Sequence, residues 1–87
     1  MNAIPDAIRD AYIETLGAWY YTTELADLFK QDGKKKLSFL QNQSADAHLA
    51  VVDYLRHEYP ELAKCNNAKL WSKMIEQAQE DYKTWCA

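Results

Sequence analysis

Apolar side chains recur along this chain at intervals of three and four, the spacing that lines one face of a helix. Ile4, Ile8, Ala11, Tyr12 and Leu16 form the first such stripe, behind a Pro5–Asp6 opening suited to a helix start. Gly17 weakens a helix and is the expected end of this one. The run Trp19-Tyr20-Tyr21 either continues it or bridges to the next. Thr22 or Thr23 is the expected cap of a second helix, with Tyr21, Leu25, Leu28 and Phe29 on its stripe and Asp32-Gly33 as its stop.

Residues 34–43, KKKLSFLQNQ, are ambiguous by pattern. Leu37 and Leu40 share a helical face, whereas Leu37 and Phe39 share a strand face. A short helix is favoured, because no other segment reads as a partner strand. Ser44 is the expected cap of the following helix, whose stripe is Leu49, Val52, Leu55 and Tyr59, widened by Val51 and Tyr54. Pro60 stops it, and PELAK, residues 60–64, can add one further turn. Asn66 or Asn67 then caps the last helix. Its stripe of Trp71, Met74, Ile75, Ala78, Tyr82 and Trp85 is the most regular in the chain and reads as core. The pattern predicts an all-α fold: one domain over 1–87, a compact bundle of four to five short helices with no sheet.

Composition narrows the function classes. The chain has 87 residues, 48% hydrophobic and 13% aromatic, with three Trp, six Tyr and two Phe. Aromatic rings help a small core reach stability, and they also anchor interfaces. The formal charge is −3. Dedicated nucleic-acid binders are usually basic, and a DNA mimic would need a far larger acidic excess. Residues 1–10 carry no basic segment followed by an apolar run, and no stretch approaches membrane-spanning length, so a cytoplasmic protein with reduced Cys65 and Cys86 is expected.

No chemistry-bearing constellation emerges. His48 and His57 lie nine apart, off the four-residue spacing of a helical metal pair, and no spacing supports adding Cys65 and Cys86. Asp10 with Glu14, and Glu76 with Glu80, are like charges one turn apart on solvated surfaces. Gly17 and Gly33 are the only glycines, so a phosphate loop has no material. No helix has the basic polar face of a membrane-surface element. The expectation is a non-enzyme with no metal and no cofactor.

Two binding readings remain. Three adjacent rings cannot all face one core, because successive helix residues step by about 100°. Trp19, Tyr20 and Tyr21 are therefore the expected partner-binding residues, unless the C-terminal helix covers them with Trp71 and Trp85. Small phage or plasmid regulators and inhibitors of host defence are often built this way. The leading expectation is thus a small regulator or inhibitor docking on a larger protein, with a homodimer as a further expected state. The alternative is a helix-turn-helix over 22–42. There Leu37 and Leu40 face inward, and Lys34, Lys35, Lys36, Ser38, Gln41 and Asn42 face DNA. The absence of Arg from that segment weighs against it.

Overall fold

The computed structural model describes residues 3–64 and 67–85, and among these the chain is helical with no strand. Three α-helices follow in order: α1 Asp6–Gln31, α2 Lys35–Glu58 and α3 Ala68–Trp85. A 3-10 turn, Pro60–Lys64, follows α2. The all-α class thus holds, but three long helices replace four to five short ones.

The two merged helices have a common cause. Gly17 does not break α1. Glycine in a helix interior costs only about 1 kcal/mol, and α1 is packed on both sides. Thr22 is no cap either: its hydroxyl donates back to the Ala18 carbonyl at 2.8 Å, a bond that belongs to a helix interior. The Thr23 hydroxyl is buried without a hydrogen-bond partner among the described residues. In α2, Ser44 also lies mid-helix, where its hydroxyl faces His48 Nε2 at 3.4 Å. These residues can cap, but only where a chain leaves helical geometry, and here it does not.

The true stops are those with strong backbone reasons. Gly33 takes φ +76°, its N–H bonds Lys30 O at 3.1 Å, and Lys34 N–H bonds Phe29 O at 2.9 Å. This pairing closes a helix over a left-handed glycine. Tyr59, before Pro60, leaves helical geometry at φ −132°, ψ 78°. Asn67 carries the first acceptor of α3, receiving Trp71 N–H at 2.9 Å. Cys65, Cys86 and Asn66 lie outside the described residues.

The α1–α2 hairpin is antiparallel. Ser38 Oγ donates to Ala26 O at 2.8 Å near the turn, and Arg56 Nε donates to the Tyr12 hydroxyl at 2.9 Å near the far end. Tyr12, Leu16, Val52, Leu55 and Leu62 form the main core there, with Ile4, Ile8, Trp19, Tyr20, Tyr59 and Leu70 packed around it. A second core, nearer the turn, joins Leu25 and Phe29 to Ala78 of α3, with Tyr21, Leu28 and Tyr82 alongside. Helix α1 belongs to both cores, and α2 and α3 scarcely touch each other. The result is an elongated layer, 50 × 22 × 18 Å, with α1 in the middle.

Candidate docking surfaces

Helix α3 runs parallel to α1. Leu70 and Met74 lie over Gly17, Asp81 accepts the Tyr21 hydroxyl, and Tyr82 stacks edge-on to Phe29 with centroids 5.3 Å apart. A Cβ on Gly17 would sit 3.5 Å from Leu70 Cδ1 and Met74 Sδ. The missing side chain leaves room beside the helix seam. A groove of about 540 Å³ opens there, lined by Ile13, Gly17, Ala18, Tyr21, Leu70 and Met74, with Glu14, Gln77 and Asp81 as its polar members.

Two polar tethers hold the C-terminal half of α3 to α1 and the hairpin turn. Burial, and then the hydrogen bond to Asp81, push the Tyr21 hydroxyl up to about 12. Gln77 Nε2 donates to the other Asp81 oxygen at 2.9 Å. At the hairpin turn the Tyr82 hydroxyl donates to Asp32 at 2.6 Å, and Lys34 lies 3.5 Å from the same carboxylate. That hydrogen bond, aided by Lys34, holds Asp32 below the usual carboxylate range. Burial likewise raises Tyr20, reinforced by Tyr12 and opposed by Arg56, and it raises Glu24 beside Asp27.

The sequence-derived site residues separate. Trp19 and Tyr20 are partly buried against the main core, with ring centroids 5.3 Å apart. Tyr21 lines the groove. The rings left most open are elsewhere: Phe39 at 60%, Tyr54 at 62%, Trp71 at 52% and Trp85 at 59% exposed. Trp71 and Trp85 thus leave more than half of their surface open, and the α3 side chains lying over Gly17, just before the aromatic run, are Leu70 and Met74. Helix α3 has a strongly amphipathic pattern, yet Ala78 is its only buried residue among those described. Its stripe is wider than the seam it makes with α1.

The basic segment is also rearranged. Leu37 and Leu40 are about half exposed, whereas Ser38 is buried against Ala26. The expected inward and outward positions are therefore shifted by one residue, which removes Ser38 as an outward reader. The cause is the continuous α2: its inner stripe is Ser38, Ala45, Val52 and Leu55, set by the far end of the hairpin. The two helices lie alongside each other, unlike the wide crossing of a helix-turn-helix. Lys34 leans over the Tyr82 ring at 5.7 Å from its centroid, Gln41 is half-buried, and Lys35, Lys36 and Asn42 are exposed. Lys30, Lys35 and Asn42 share a hollow of about 460 Å³ with Phe39.

Among the described residues, no group of three or more metal-ligating side chains converges, and no helix is long and apolar enough to cross a membrane. No protein-family model, curated protein or solved structure matches the chain.

Proposed function

We propose that this protein is a non-catalytic binding module, a small regulator or inhibitor that docks on a larger protein. The docking surface is the α1–α3 groove with the neighbouring edge of α3. Tyr21 and Trp71 are its aromatic members, and Met74 supplies an adaptable apolar wall. The observation that carries this reading is the surplus apolar face of α3: Trp71 and Trp85 stay more than half exposed on the helix that walls a groove lined mainly by apolar residues. Large rings at the edge of an apolar groove are the usual anchors of a protein interface. An amphipathic segment of the partner laid along the groove would cover them.

Affinity capture from the native cell, comparing wild type with Trp71→Ser and Met74→Glu, tests this. The expected result is one stoichiometric partner held by wild type and lost with both variants while their helical circular dichroism is retained. A partner held equally by all three, or by none, would overturn the reading.

A second reading, nucleic-acid binding, draws on the hollow shared by Lys30, Lys35, Asn42 and the exposed ring of Phe39. Cations beside a stacking ring suit a single strand more than a duplex groove. Titration with oligonucleotides at two salt concentrations separates the readings, since phosphate contacts weaken steeply with salt.

A further inference from the structure

Helix α2 carries a second apolar stripe beside the one it spends on α1. Leu37, Leu40, Ser44, Ala47, Val51 and Tyr54 follow at alternating intervals of three and four, and no charge interrupts them. Leu37, Leu40 and Val51 are 45%, 47% and 45% exposed, and Tyr54 is 62% exposed. An uninterrupted 3.5-residue repeat is the pattern of a helix that packs along another helix. The packing of α2 within the chain leaves about half of Leu37, Leu40 and Val51, and more of Tyr54, open.

We infer that the outer stripe of α2 pairs antiparallel with the same stripe of a second copy, making a two-fold dimer. The stripe is self-complementary. Laid antiparallel about a point between Ser44 and Ala47, it matches Leu37 with Tyr54, Leu40 with Val51, and Ser44 with Ala47. Large residues fill the two ends, and small residues at the middle let the backbones approach. A foreign helix would have no reason to share this palindromic order of sizes. Isologous contact of this kind closes on itself and needs no further copy.

Charge sets the orientation. The α2 N-terminus carries exposed Lys35 and Lys36, while exposed Glu58 and Glu61 follow its last apolar position. Of the cations near those glutamates, Arg56 is engaged with Tyr12, and Lys64 lies beyond both of them. Antiparallel pairing brings the lysines of one copy to the glutamates of the other, whereas parallel pairing would set like charges together. Surface area agrees. The chain exposes 6180 Å², about 900 Å² more than a compact monomer of its mass would, and a standard interface takes about 800 Å² from each partner.

Sedimentation velocity of the full chain across a concentration series tests the pairing. Wild type is expected to pass from 10.1 kDa monomer to a species of twice that mass. Leu40→Glu and Val51→Glu, at half-exposed positions, should each weaken dimerisation at least about ten-fold with helical content unchanged. Lys36→Glu should weaken it, and adding Glu58→Lys should restore it. In a Cys65→Ser, Cys86→Ser background, Leu37→Cys chains should cross-link to Tyr54→Cys chains and not to one another. A chain monomeric throughout, a dimer indifferent to both glutamates, or a Leu37→Cys self-cross-link would each overturn the proposal. Leu40 and Val51 lie outside the α1–α3 groove, so loss of the dimer and loss of the captured partner are separate results.

Discussion

The two seams that α1 makes are built from different materials. Against α2 it buries Tyr12 and Leu16 with Val52, Leu55 and the Leu62 of the following turn, and this core is dense and almost wholly apolar. Against α3 it buries Leu25 and Phe29 under one alanine, Ala78, and Gly17 under Leu70 and Met74. Much of the second seam's specificity comes from hydroxyl–carboxylate bonds, Tyr21 to Asp81 and Tyr82 to Asp32. A dense apolar seam fixes a fold. A thin seam with polar tethers positions a helix while leaving most of its apolar face available for something else.

That contrast can be broken first at the dense seam. Leu16→Ala should cost roughly 2–5 kcal/mol, a large share of the stability of so small a domain, and chemical denaturation would read it as a large drop in midpoint. A loss below about 1 kcal/mol would mean that the main core lies elsewhere.

The thin seam should respond more locally. Tyr21→Phe removes one bond to a carboxylate, worth about 1–2 kcal/mol at this partly exposed site. Amide exchange should accelerate in α3 and stay slow in α1 and α2. Alkaline pH should mimic the substitution. The Tyr21 pKa is raised from 10.0 to about 12, so its stabilising contribution is whole below pH 10 and is lost as pH climbs toward 12. A pH titration of near-ultraviolet dichroism should show α3 loosening in that window, and Tyr21→Phe should make the step smaller. Asp32 works in the opposite direction: its depressed pKa gives a contribution present above pH 3.8 and lost below it.

The smallest effects come from the two glycines, and they differ in sign. Gly33, at φ +76°, should lose about 1 kcal/mol on change to Ala. Gly17 lies in regular helix, and an added Cβ meets side chains at ordinary contact distance, so Gly17→Ala should gain about 0.4–1 kcal/mol. Thermal melts of the two variants should move apart. Equal shifts would show that the α1–α3 seam is tighter at Gly17 than its 3.5 Å contacts allow.

Helical class, the Gly33 and Pro60 stops and the regular stripe of α3 were legible because each has a local cause. A left-handed glycine and a proline act on their own backbone, whatever the rest of the chain does. The continuity of α1 through Gly17 and of α2 through Ser44 was not legible. Residues that can cap also sit well inside helices, and only packing against a neighbour along the whole length decides between the two. One unneeded break at residue 43 then hid the outer stripe of α2, because its Leu37–Leu40 and Val51–Tyr54 halves fell in separate helices. It also turned Ser38 outward. Of the aromatic run, Tyr21 joins the groove, while Trp19 and Tyr20 pack on the main core. Trp71 sits on a stripe that periodicity marks as core, and a stripe alone does not say how much of itself will find a partner.

Residue-resolved native-state hydrogen exchange of the dilute chain reads out whether α1 is one unbroken helix that holds α2 firmly and α3 loosely. Slow exchange is expected to run without interruption through residues 12–29, matched by the half of α2 around Val52 and Leu55, with α3 exchanging markedly faster. Fast exchange at residues 17–23, or protection of α3 equal to that of α1, would contradict it.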